Sequence, residues 1–182
     1  MSTLLIGTTG MLAPASRAIA AQQPGDIVVM SRRAGGFSFA DAALDARVRP
    51  CKTDWKDAAA FLAALDQAAE AHGPFTAALV WLHGRDELLR ARIVHHMAAG
   101  GRLVEVLGSA ASRPGAFGDV RLQQMQRLTH VTYRQVLLGF MRDGDHSRWL
   151  TNDEISASAI EAFTSDDVVT IAGQVEPWDM RP

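Results

Sequence analysis

Two glycines three residues apart, Gly7 and Gly10, sit in 4-LIGTTGMLAPASRAIA-19, between a short apolar run and a helix-like segment. Glycine lets backbone approach a ligand closely, and the N-terminus of a following helix attracts an anion. Gly7-Thr8-Thr9-Gly10-Met11-Leu12-Ala13 is therefore a candidate pyrophosphate loop, with Ala13 as the small third position that lets helix and strand pack. The same residues would also make a tight strand-to-helix turn that holds no ligand. Ser31-Arg32-Arg33 follows the next apolar run, 27-IVVM-30. An NAD site usually has an acidic residue near this point for the ribose hydroxyls. Arginines suit a 2′-phosphate instead, through charge-assisted contacts, which favours NADP(H) over NAD(H). A solvated basic turn would look the same.

Further candidates follow later apolar runs. In Thr53-Asp54-Trp55, Asp54 can accept from an adenine amino group with Trp55 along the ring, or it can cap a helix beginning near Lys56. In Trp81-Leu82-His83-Gly84, His83 can line the nicotinamide ribose or act as an acid/base, its reference pKa being near neutrality. A structural histidine fits the position as well. Ser109, after Gly108, can hydrogen-bond a carbonyl substrate or cap a turn. Ser112 is a second, lesser candidate. No G-x-S-x-G elbow surrounds either serine, so the chain does not read as a hydrolase. His95 and His96 are adjacent on a predicted helix and should diverge, and no Cys/His cluster supports zinc.

These residues need a scaffold that gathers them. Apolar runs at 3–6, 27–30, 76–82, 102–107, 131–138 and 168–172 read as strands, with a weaker one at 47–51. Helices are expected at 12–22, 56–71, 86–99 (apolar face Leu88, Leu89, Arg92, Ile93, Met97) and 119–128. Thr151-Asn152-Asp153-Glu154 fits a capping box, followed by an inward face of Ile155, Ser158, Ala159 and Ala162. Pro114, Gly115 and Gly118 mark a loop. Alternating strands and helices predict an α/β, three-layer, doubly wound parallel sheet. Gly7, Ser31, Asp54, His83 and Ser109 then fall on one rim, at the carboxyl ends of the strands.

Size and charge narrow the classes. The 182 residues suit a single domain spanning 1–182. A net charge of −2 argues against a nucleic-acid or anionic-membrane partner. Cys51 is the only cysteine, and no apolar stretch approaches membrane-spanning length. With no signal-peptide pattern at the N-terminus, the expected location is cytoplasmic. Lysine occurs only at Lys52 and Lys56.

The order of elements resembles the short-chain dehydrogenase/reductase family, a Rossmann-type fold, across nearly the whole chain. The glycine loop resembles the family's divergent G-x-x-G-x-x-A/G form, and "SRR" its NADP-preferring second strand. "TDW" stands at the family's adenine-side Asp, and "VLGSAAS" resembles the strand carrying the catalytic serine, which implies Ser109 for that role. "WLHG" stands where Asn-Ala-Gly usually ends the fourth strand. "VTYRQVLLGFMR" resembles the strand beside the nicotinamide, with Leu138-Gly139 in place of Pro-Gly. The C-terminal "RWLTNDEISASAIEAFTSDDVVTIAGQ", with its Gly173-Gln174, is the longest match. More narrowly, the chain is similar to small bacterial proteins with an "EPW–RP" tail.

The resemblance implies binding of NADP(H) through Gly7, Thr8, Thr9, Gly10, Met11, Leu12, Ser31, Arg32, Arg33, Asp54, Trp55, Leu82, His83, Gly84 and Gly108. It implies hydride transfer with a small carbonyl, imine or alcohol. Homodimers through the helices flanking the fifth strand are also implied, although both look shortened here. The departure is the Tyr-x-x-x-Lys pair. The only tyrosine is Tyr133, four residues before Leu137, and no lysine lies beyond position 56. Phe117 and Arg121 have the pair's spacing. Candidates for the proton donor are Tyr133, His83 or water, Tyr133 being compromised if its strand turns it into the core. Two readings without catalysis stay open: an NADP(H)-binding sensor or regulatory protein, and a cofactor-free relic whose Trp149 and tail 177-PWDMRP-182 anchor a partner or cover the sheet edge.

Overall fold

Each short apolar run becomes a strand because a sheet covered on both faces buries both sides of its central strands, so runs need not alternate. The computed structural model describes residues 1–83, 87–113, 117–144 and 146–182. The strands are β1 (Ser2–Ile6), β2 (Asp26–Ser31), β3 (Val48–Lys52), β4 (Phe75–Trp81), β5 (Met97–Leu107), β6 (Val131–Leu138), β7 (Phe140–Asp143), β8 (His146–Trp149) and β9 (Val169–Ala172). The helices are α1 (Ala13–Gln22), α2 (Ala42–Asp45), α3 (Ala58–His72), α4 (Glu87–His95), α5 (Phe117–Gln126) and α6 (Asn152–Thr164). Seven strands form one parallel sheet in the order β3-β2-β1-β4-β5-β6-β9. This is the predicted doubly wound architecture, and strand order reverses between β1 and β4.

Two apolar cores fill the layers. On one face Leu5, Val29, Leu79, Val104 and Val136 pack against Ile19 of α1 and Ala159 and Phe163 of α6. On the other, Leu4, Val28, Ala78, Leu103 and Tyr133 pack against Phe61 and Leu65 of α3, Ile93 of α4 and Met125 of α5. No helix among the described residues is long and apolar enough to cross a membrane.

Three expectations are corrected. The helix expected over 86–99 stops at His95, and residues from Met97 onward are extended as the start of β5. Met97 is buried beside Phe75, whose N–H donates to the His96 carbonyl at 3.0 Å, so pairing with β4 outweighs helix continuation. On α4, Leu89 and Ile93 are buried as expected, but Leu88 is exposed and Arg90 rather than Arg92 is buried. His95 and His96 do not diverge: their rings meet edge to face at 5.0 Å, and His96 also bonds Asp66 at 2.7 Å.

The hairpin β7–β8 was not legible as strands. It projects between β6 and α6 as a separate two-stranded sheet. It is tied to the body at both strands: Phe140 of β7 is buried and exchanges backbone hydrogen bonds with Gln174 at 2.8 and 2.9 Å, and the Arg148 guanidinium of β8 donates to both carboxylate oxygens of Glu154 at 2.8 and 2.9 Å. Glu154 also completes the predicted capping box, accepting from the Thr151 N–H at 2.8 Å. On α6 the inward face is Ile155, Ser156, Ala159, Ala162 and Phe163, with Ser158 only half-buried.

The Arg148 contact, then the Thr151 backbone bond, hold the Glu154 carboxyl at about 2, well below its ordinary value. A depressed acid stabilises the fold above its unfolded pKa, and that contribution is lost as pH falls through the folded one. The expected outcome is that Glu154→Gln shows a shallower loss of stability between about pH 4.5 and 2 than the parent. Chemical unfolding at stepped pH measures it, and identical slopes would contradict the pairing.

Candidate functional site

The β1-to-α1 loop opens at the reversal of strand order, where doubly wound sheets leave a crevice. Gly7 has a positive φ of 70°, and its N–H donates to the Met30 carbonyl at 3.0 Å. A Cβ there would lie 2.2 Å from the carbonyl oxygen of Trp81, so only glycine fits between the ends of β1 and β4. Thr9 and Ser31 link the loop to the end of β2: the Thr9 hydroxyl donates to Ser31 Oγ at 3.3 Å, which also accepts from the Arg33 N–H at 3.2 Å. From α6, the buried Ser156 hydroxyl donates to the Met11 carbonyl at 3.0 Å and fixes the loop's far end. Sequence reading missed this contact, because it joins residues 145 apart.

Two adjoining compartments result. The first, about 290 Å³, is lined by Gly7, Thr9, Gly10, Met11, Ser31, Arg32, Arg33, Trp55, Trp81 and His83. It is basic and aromatic. The Arg32 guanidinium lies over the Trp55 ring at 5.7 Å, and His83 sits between Trp55 (6.2 Å, near parallel) and Trp81 (4.7 Å, edge-on). The N-terminus of α1 carries no side-chain cap and no acidic residue in its first turn. The second compartment, about 270 Å³, is lined by Met11, Trp81, Gly108, Ser109, Leu138, Gly139, Trp149, Leu150 and Ile155. Met11 and Trp81 border both.

In three dimensions the chain matches the crystal structure of a short-chain dehydrogenase from Burkholderia cenocepacia J2315 in complex with NADP. The TM-score is 0.67 at 13% identity, over 95% of this chain and 88% of that one. The chain has the short-chain dehydrogenase fold. A short-chain dehydrogenase/reductase from Serratia marcescens BCRC 10948 matches at TM-score 0.62 and 15% identity, over 96% of this chain and 97% of that chain. A glucose/ribitol dehydrogenase of the short-chain dehydrogenase/reductase type from Brucella melitensis matches at TM-score 0.64 and 14% identity, over 94% and 95%. At these identities the likeness is one of fold. No protein-family model matches the sequence, and no curated protein does.

Within this short-chain dehydrogenase fold the sequence candidates separate. Gly7, Thr9, Gly10, Met11, Ser31, Arg32, Arg33, Trp55 and His83 converge on the basic compartment. Gly108 and Ser109 line the apolar one, Ser109 opening a short 3-10 turn. Four side chains do not face either. Leu12 and Leu82 are buried in the two cores, and Thr8 is buried with no partner for its hydroxyl among the described residues. Asp54 accepts from the Lys56 N–H at 3.1 Å and shapes the turn. The cap of α3 is Asp57 rather than Asp54, bonded by the Ala60 N–H at 3.0 Å. Gly84, Pro114 and Gly115 lie outside the described residues, as do the side chains of Ser112 and Phe117.

The candidate catalytic residues do not share one compartment. His83 faces the basic compartment and Ser109 the apolar one. Tyr133 is in neither: it is buried on the opposite face of the sheet, where its hydroxyl donates to Glu105 at 2.9 Å. Burial first, then the Glu105 charge, raises the phenol well above its ordinary pKa, so it stays neutral. Its alternation along β6 decides this, since side chains on a strand point to opposite faces. Arg121, at the lysine position of the family's spacing, is likewise buried there, paired with Glu87. Trp81, which borders both compartments, was passed over in favour of its neighbours in "WLHG".

The tail is also accounted for. Arg181 stacks on Trp178 at 4.4 Å and reaches over Trp149 of the hairpin at 5.8 Å.

Proposed function

We propose that the basic compartment binds a nicotinamide dinucleotide, NADP(H) in preference to NAD(H), and that the chain is an oxidoreductase acting on a small carbonyl, imine or alcohol. The observation that carries this is the uncapped N-terminus of α1 at the strand-order reversal, flanked by Arg32 and Arg33. A helix end with two arginines beside it suits phosphates. The bound NADP of the Burkholderia structure, on the same fold, supports it.

Gly10 is open, an added Cβ meeting only Arg33 Nη2 at 3.4 Å, which leaves room for a pyrophosphate to approach backbone. Arg32 and Arg33 would hold the 2′-phosphate, Trp55 the adenine, and Trp81 and Met11 the passage toward Ser109. When bound, the reduced nicotinamide supplies a hydride to the carbonyl carbon, the oxygen takes a proton, and an alcohol and the oxidised cofactor result. Ser109 would orient the substrate oxygen, and with Tyr133 buried the proton would come from water or His83.

NADPH fluorescence titration, with NADH alongside, tests the reading. Losing a charge-assisted contact costs about 1.5–3 kcal/mol, so Arg32→Ala and Arg33→Ala are expected to weaken NADPH roughly 10- to 150-fold and NADH little. Binding of neither cofactor sinks the proposal, and equal losses for both remove the 2′-phosphate role. A second reading, a non-catalytic NADP(H) sensor, is favoured by the burial of Tyr133 and Arg121 away from both compartments. Turnover across aldehydes, ketones and imines separates the two. Exposed Leu88 and Val120, on the two helices flanking β5, support a homodimer, which light scattering would test.

A further inference from the structure

The compartment at the ends of β5 and β6 differs in chemistry from its neighbour. Trp81, Leu138, Leu150 and Ile155 give it hydrocarbon and ring surface, and Ser109 supplies a hydroxyl. None of its described lining residues is ionisable. At about 270 Å³ it is small for a ligand pocket. Its outer wall is Trp149, half of whose surface remains exposed at 48%. A ring so exposed needs something to hold it, and Arg181 lies over it while stacking on Trp178.

We propose that this compartment selects an uncharged, predominantly apolar carbonyl or alcohol about the size of one aromatic ring, with Trp149 as its outer wall and Arg181 positioning that wall. A carboxylate or phosphate entering here would meet hydrocarbon and ring surface with no ionisable group in the described lining, so the hydration it gives up is not replaced. A single carbonyl or hydroxyl oxygen can instead meet Ser109. The separation from Arg32 and Arg33 is what makes the choice sharp: anionic groups are drawn to the first compartment and apolar ones to the second. For turnover, the inference rests on the dinucleotide reading above; for ligand selection it does not.

The test is calorimetric titration of the full chain with benzaldehyde and with 4-carboxybenzaldehyde, each with and without NADP+. Benzaldehyde is expected to bind at least about tenfold more tightly than its carboxylate. Trp149→Ala should weaken benzaldehyde about fivefold or more while NADP+ affinity stays unchanged, since the ring is a wall of one compartment only. Arg181→Ala should move benzaldehyde affinity in the same direction, and Arg181→Lys should restore part of it, because a cation remains for the rings. Equal affinity for the two aldehydes, no heat with millimolar benzaldehyde, or unchanged benzaldehyde affinity in both alanine variants overturns the proposal. If NADP+ fails to bind while the aldehyde preference and the Trp149→Ala loss hold, the dinucleotide reading falls and the apolar ligand site stands.

Discussion

Glu105→Ala is expected to lose about 3–5 kcal/mol of unfolding free energy, the usual cost of stranding a buried charge. Glu105 is 3% exposed near the C-terminal end of β5. One carboxylate oxygen accepts from Arg90 Nε of α4, and the other accepts from the Tyr133 hydroxyl of β6 at 2.9 Å. Arg121 of α5 lies 3.9 Å away. Both arginines are 4% exposed, so neither can turn to water when the carboxylate is removed. Two helices of the same layer are thus tied to one strand through a single acid. Tyr133→Phe deletes one neutral donor and should cost only about 1–2 kcal/mol. Urea unfolding of the two variants measures both values. A Glu105→Ala loss under about 1 kcal/mol would mean that the partners the arginines already have, Glu87 for Arg121 and the Leu82 carbonyl for Arg90, suffice, and the cluster would not be what anchors α4 and α5.

The second large effect is expected at the loop. Gly7→Ala should cost about 2–5 kcal/mol, combining a positive φ with a clash that the backbone cannot relieve. The obstructing atom is the Trp81 carbonyl oxygen, 2.2 Å from the added Cβ, and it belongs to a central strand. The strain falls where β1, the β2 end and β4 meet, so NADPH affinity should be lost along with stability. Gly10→Ala is the matched control. Its Cβ would meet only the end of the flexible Arg33 side chain, so stability should change by less than about 1 kcal/mol. A loss of NADPH affinity in Gly10→Ala then reports close approach of the ligand to the loop. Full stability in Gly7→Ala, measured by urea unfolding, would contradict the packing at the strand-order reversal.

Arg90, Glu105, Arg121 and Tyr133 form one buried group away from the residues that line the cleft. Tyr133 and Arg121 lie in a layer of buried polar groups in which Glu105 accepts from both Arg90 and Tyr133. Their chemistry serves packing. What faces the cleft instead is aromatic and basic on one side and apolar on the other, divided at Trp81 and Met11.

Local signals settled much of this protein from its sequence alone. Strand runs, the Gly7 loop and the Thr151–Glu154 box are written within a few neighbouring residues, because backbone hydrogen bonding and capping act over that range. The alternation they produce was enough for a doubly wound sheet and for the rim that gathers Gly7, Ser31 and His83. Tertiary structure alone decided the rest. The face on which Tyr133 lies depends on how β6 sits in the sheet, Met97 leaves the helix only because Phe75 is there to pair with, and Trp81 divides the cleft only once β4 lies beside β1. Each of these is a contact between residues distant in the chain. Its energy comes from burial, and no short stretch of sequence encodes which partner will be met.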